Sequence, residues 1–103
     1  MIRGTTPRLH FNIPISTQII KSAEIVLQYV DNFKTVTIER SLPECEVGDN
    51  SIAAVLTQEE TLALPAPATA RVQLRVLTID GTALATKPHE VTVKELLKES
   101  VLE

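Results

Sequence analysis

Arg71–Val93 reads RVQLRVLTIDGTALATKPHEVTV, and this stretch decides the fold. Val72, Leu74 and Val76 are apolar at every second position, with Arg71, Gln73 and Arg75 in the gaps. That period of two places one face of a strand on a core and the other in water. Asp80-Gly81 follows, and Asp-Gly between two such runs is a strong signal for a two-residue hairpin. Such a loop would oppose Leu77 to Leu84, Val76 to Ala85 and Arg71 to Glu90, and opposed residues share a face. Leu77 and Ile79 then fall on the arginine face. The same register puts Lys87 and His89 on the core face, which is unfavourable for a charge. Pro88 between them cannot donate to a ladder, so a bulge or strand break is expected near 87–89, on an edge strand.

Working outward, Leu9, Phe11 and Ile13 alternate with His10 and Asn12 and read as a strand stopped by Pro14. Residues 1–7 are polar and read as a short tail or the lead-in to an edge strand. Residues 15–21 form a connection with room for one helical turn. Residues 22–30 fit two patterns. Ile19, Ala23, Val26, Leu27 and Val30 make a helical stripe, whereas Ile25, Leu27 and Tyr29 make a strand face. The strand is preferred because Asp31-Asn32 is turn chemistry and the β-branched run behind it, Phe33–Arg40, then has a hairpin partner.

Residues 41–50 read as loop, and Ser51–Leu56 as another strand. Thr57-Gln58-Glu59-Glu60 has the spacing of a capping box, so a helical turn is expected over 58–62. Pro65 and Pro67 force an extended crossing after it. Residues 94–99 carry a last helical turn or a tail. The count is about seven short strands with closely spaced turn signals, the pattern of an immunoglobulin-like sandwich. The expected fold is therefore all-β: a two-sheet antiparallel sandwich in one domain, 1–103, with short helical turns near 58–62 and 94–99. It lacks the Cys…Trp…Cys core of antibody domains, so the expectation concerns architecture alone.

Bulk properties narrow the function. Of 103 residues, 44% are hydrophobic but only three are aromatic, Phe11, Tyr29 and Phe33, so Ile, Val and Leu must build the core. The formal net charge is −3 and the basic residues are scattered, which gives no electrostatic footprint for nucleic acid. No run approaches the ~20 apolar residues of a membrane span, and the N-terminal stretch has no apolar signal-peptide core. Cys45 is the only cysteine, which suits synthesis in the reducing cytoplasm.

No chemistry stands out. His10 and His89 have no partners at ligand spacing. Cys45 lies between Glu44 and Glu46, whose charges would raise a thiol pKa rather than activate it. Glu44, Glu46 and Asp49 match no calcium loop, and Glu59-Glu60 is explained by capping. Three glycines, at 4, 48 and 81, leave no phosphate loop. No cofactor, no metal and no enzymatic activity are expected. Arg71, Gln73 and Arg75 remain as a polar stripe on one strand face, either a solvated sheet face or a partner-facing surface.

Three segments carry a resemblance: MIRGTTPxxxFxIP at Met1–Pro14, LTQEETLAL at Leu56–Leu64 and VQLRVLTIDGTALAT at Val72–Thr86. Together they resemble small proteins encoded in phage-like regions of gut Firmicutes genomes. The resemblance covers most of the chain and the last motif is its most specific part. It implies a small β-sandwich comparable to immunoglobulin-like domains of phage tails and baseplates. That family pattern has a Gly before the penultimate strand where this chain has Pro65-Ala66-Pro67, so that corner is expected to differ. The resemblance implies a non-enzymatic structural or interaction domain, incorporated in a phage particle, with other phage structural proteins or further copies of itself as partners. It supplies no catalytic residue. The alternative expectation is a module that binds a sugar or an extended peptide, through the Arg71, Gln73 and Arg75 face or along an edge strand.

Overall fold

The computed structural model describes residues 1–65 and 68–96. Two antiparallel sheets make up the described chain. The smaller has the order β1-β5-β4, from Arg8–Asn12, Ser51–Val55 and Glu46–Val47. The larger has β3 (Lys34–Ser41), β2 (Ile20–Asp31) and β6 (Ala68–Thr78) side by side. The far edge of β6 is shared by β7 (Ala83–Ala85) and β8 (His89–Val93). Eight strands are described rather than seven, because Glu46–Val47 pairs inside a stretch that reads as loop.

Period two is realised on the central strands. Along β2, Ile25, Leu27 and Tyr29 are buried; along β6, Ala70, Val72, Leu74 and Val76 are. Ile25 pairs with Leu74 and Leu27 with Val72, so these side chains form one inner face. Ile52 and Ala54 from the smaller sheet, with Leu56 just after β5, join the same core, and Phe11 and Leu9 are partly buried against it. With few aromatics, the interior is filled by branched aliphatics, as the composition requires.

The helical turn α1 (Gln58–Leu62) starts where expected. Thr57 Oγ1 accepts from Glu60 N and the Glu60 carboxylate accepts from Thr57 N, a reciprocal capping box. Thr61 in this turn is fully buried, and its hydroxyl donates to Thr5 O at 2.8 Å. A 3-10 turn at Thr17–Ile19 fills the expected place in the 15–21 connection. The expected helical turn near 94–99 does not form in its described part. Lys94 bridges to Ile2 in parallel, with Lys94 N donating to Met1 O at 2.7 Å and Arg3 N to Lys94 O at 3.2 Å. Glu95 and Leu96 are not helical, and 97–99 lie outside the described residues. The corner at Pro65-Ala66-Pro67 also lies partly outside them. Among the described residues, no helix is long and apolar enough to cross a membrane.

The long hairpin departs from its expected register near the turn. Leu77 pairs with Ala83, Val76 with Leu84 and Arg75 with Ala85. The loop has three residues, Ile79-Asp80-Gly81, not two. Thr78 N donates to Thr82 O at 2.9 Å, and Gly81 takes φ +88°, where a side chain would be strained. The Asp80 carboxylate accepts from the Thr78 hydroxyl and from Thr82 N, which holds its pKa below the usual value. Further along, Thr86 N donates to Leu74 O, while Val72 pairs with His89. Lys87 and Pro88 therefore stand opposite Gln73 alone. This is the expected break at 87–89, and the extra residue restores Arg71 to Glu90. Lys87 is exposed and not on the core face. His89 stays at the rim, its ring 6.3 Å from that of Phe11.

Candidate functional site

Arg71, Gln73 and Arg75 lie together on the outer face of the larger sheet, because residues two apart on a strand point the same way. Their cross-strand neighbours on β2 are Gln28, Val26 and Glu24. These side chains, with Glu39 and Pro88, line an open depression of about 360 Å³. Arg75 Nη1 lies 2.9 Å from Glu24 Oε1, an exposed ion pair of small energetic weight. Gln73 Nε2 donates to Thr86 O at 2.8 Å, so it is held by the bulge. Arg71 stands between Gln28 on one side and Glu90 on the other. The stripe is thus interleaved with Glu24, Glu39 and Glu90, and its field is mixed in sign rather than basic.

A second depression, of about 460 Å³, adjoins the first and shares Glu24 and Arg75 with it. Its lining joins the apolar Ala23, Val76, Leu77, Ala83 and Leu84 to the polar Ser22 and Ser41. Leu84 remains 43% exposed on the short strand β7, and Ile79 in the neighbouring loop is 67% exposed.

At the other end of the same sheet, the β2–β3 hairpin turns through Asn32-Phe33 rather than Asp31-Asn32. Asp31 still pairs with Lys34. Asn32 has φ +50° and Phe33 φ +66°, which two-residue hairpin loops of the I′ kind require at both central positions. Asn tolerates that conformation and Gly is the usual second residue; Phe does not tolerate it well. Phe33 is nevertheless fully exposed, and Val30 beside it is 62% exposed. Sequence reasoning missed this tip. The available signal was a lone aromatic inside an otherwise polar turn, Asp31-Asn32-Phe33-Lys34. Phe33→Gly is therefore expected to raise unfolding stability by about 1 kcal/mol, read as a higher denaturation midpoint, since strain is relieved and no core contact is lost.

The other candidate groups are dispersed. His10 is exposed on the outer face of the smaller sheet, opposite Ala53, while His89 sits by Phe11 on the inner side. The Cys45 thiol donates to Ser41 O at 3.2 Å; burial, then the Glu44 charge, pushes its pKa up. Glu44 caps a 3-10 turn at Leu42–Glu44 by accepting from Ser41 N and Oγ, and these bonds hold its pKa below the usual carboxylate value. Glu46 pairs with Arg8 at 3.2 Å on the surface. Asp49 contributes its carbonyl to Thr17 N. Among the described residues, no three His, Cys, Asp or Glu side chains come together as a metal site. No family model, curated protein or solved structure matches the chain.

Proposed function

We propose that this protein is a non-enzymatic interaction domain that serves as a structural part of a phage tail or baseplate. The observation that carries this reading is Phe33, a fully exposed aromatic held at positive φ on a hairpin tip. A strained residue that contributes nothing to the core points to use at a contact. The resemblance of Met1–Pro14, Leu56–Leu64 and Val72–Thr86 to proteins of phage-like regions supplies the setting. In this reading the chain is made in the cytoplasm and is carried into a particle. The test is mass spectrometry of purified particles after induction. The protein is expected there in a fixed ratio to the tail proteins; its absence from intact particles removes the phage reading.

A second reading is favoured by the depression over Arg71, Gln73 and Arg75. Alternating positive and negative side chains along it suit an extended peptide of mixed charge better than a sugar, which would want an aromatic platform. Peptide and glycan arrays test it. Binding that survives Arg71→Ala and Arg75→Ala together would count against that face.

A further inference from the structure

We propose that Asp80-Gly81 is a latent isoaspartate site, held shut by the hydroxyl of Thr78 and by the backbone of the loop that this hydroxyl ties together.

The dipeptide is chemically prone to the change. The Gly81 amide nitrogen attacks Asp80 Cγ, the side-chain carboxyl oxygen leaves with two protons as water, and a five-membered succinimide forms. Water then adds to either carbonyl of that ring. One opening returns aspartate; the other leaves the main chain running through the side-chain carbons, which is isoaspartate. Water is lost and regained, so the product has the mass of the original chain and no further reactant is needed. Glycine leaves the nitrogen unshielded because it has no Cβ. Chain neighbours apart, nothing lies within 4 Å of where a Gly81 Cβ would stand. Both residues are exposed, so water reaches them.

The folded loop occupies each reacting group. Gly81 N donates to Thr78 O at 3.1 Å, which keeps the nucleophile on a backbone carbonyl. Asp80 Oδ1 accepts from the Thr78 hydroxyl and, at 3.2 Å, from Thr82 N. Those bonds favour the ionised carboxylate. An ionised carboxylate is a poor electrophile, since its oxygen must leave as water. Thr78 is itself placed for this task. It ends the inner row of β6, after the buried Ala70, Val72, Leu74 and Val76, and is 5% exposed. A hydroxyl adds nothing to an apolar row, but here it reaches the Asp80 carboxylate and both Thr82 backbone groups.

The product fits the loop no better than the reaction does. Isoaspartate adds one carbon to the main chain between Thr78 and Thr82. Thr78 N to Thr82 O at 2.9 Å, and the Leu77–Ala83 rung beyond it, are set for the present loop length. A longer loop would pull against the pairing of β6 with β7, the strand that carries Leu84.

Peptide mapping by mass spectrometry on the aged full chain tests this, with isoaspartate told from aspartate by retention time and backbone fragmentation. The chain is held at neutral pH and 37 °C, once folded and once in guanidinium chloride above its unfolding midpoint. The folded chain is expected to convert at least about tenfold more slowly, the effect of one charge-assisted hydrogen bond on a rate. Thr78→Val keeps the shape of the buried side chain and removes the hydroxyl; it is expected to convert about tenfold faster than folded wild type. Thr78→Ser, which keeps a hydroxyl, is expected to stay near the wild-type rate. Arg40→Met breaks the Arg40–Glu60 pair between β3 and α1, far from the loop, and is expected to leave the rate unchanged although it weakens the fold. Folded and unfolded wild type converting alike overturns the proposal, whatever the variants do. So does a folded Thr78→Val, by its thermal melt, that converts like wild type. Equal acceleration in Thr78→Val and Arg40→Met also overturns it, because overall stability rather than the Thr78 hydroxyl would then set the rate.

Discussion

Leu74→Ala is expected to lower the free energy of unfolding by about 3 kcal/mol, the middle of the range for a buried leucine. Leu74 is 1% exposed and sits at the centre of β6. Its neighbour on β2 is Ile25, and Thr86 holds the other edge of the strand through both Leu74 N and Leu74 O. Strands fixed on both sides cannot move in to fill the space left by the lost methyl groups, so the cavity persists. A domain of this size has about 5–15 kcal/mol in total, so the loss is a large share. Leu84→Ala is the control: same chemistry, but on an exposed edge, with an expected loss under about 1 kcal/mol. Urea denaturation with an unchanged slope reads both. Equal, small losses at the two positions would mean that the β6 inner face does not line the interior.

What could be read beforehand was whatever depends on local pattern. The alternation over Arg71–Val76 and over Ile25–Tyr29 comes from one rule, that a half-buried strand shows its core face at every second residue. Thr57 and Glu60 announced α1 because capping is a contact between near neighbours. The same spacing at Ser41 and Glu44 marked the 3-10 turn at Leu42–Glu44 equally well, inside a stretch that reads as loop only because Pro43 and the acidic residues dominate it. Pro88 gave away the break before β8, since its missing N–H is a local fact.

Turns and distant contacts were harder. Asp80-Gly81 reads as a two-residue loop, yet the Thr78 and Thr82 side chains and backbone make a three-residue loop better satisfied. Phe33 sits in the turn where its propensity disfavours it, because the fixed pairing of β2 with β3 leaves only Asn32 and Phe33 to connect them. The parallel bridge of Ile2 to Lys94 joins opposite ends of the described chain, and no local pattern encodes it. The site followed the same division. Arg71, Gln73 and Arg75 were foreseen as a stripe from their spacing. Glu90 opposite Arg71 followed from the hairpin register, but that Glu24 and Glu39 also balance them needed the strand order. That Phe33 is displayed rather than buried needed the turn conformation.

Arg40→Met is expected to destabilise the protein by about 2 kcal/mol at neutral pH, the loss of a charge-assisted bond to a largely buried carboxylate. The Arg40 guanidinium meets the Glu60 carboxylate where both side chains are mostly buried, at 17% and 25% exposure. The pair ties β3, an outer strand of the larger sheet, to α1 in the connection between β5 and β6. Met keeps the packing of the stem and removes only the charge and its donors. Burial pushes the Glu60 pKa up; the Thr57 N–H, then Arg40, outweigh that and hold it below its ordinary value of 4.5. A carboxylate lowered in this way contributes stability that is full above 4.5 and is lost as pH falls through the folded value. The difference between wild type and Arg40→Met should therefore be largest near neutrality and shrink in acid, where Glu60 is protonated in both. The variant's own acid limb should move to higher pH, because burial of Glu60 is then opposed by Thr57 alone. Denaturant midpoints measured from neutral pH to about pH 3 separate the outcomes. A difference that stays constant down the whole range would mean that Arg40 acts through its stem and not through its charge, and the link between β3 and α1 would then be one of packing.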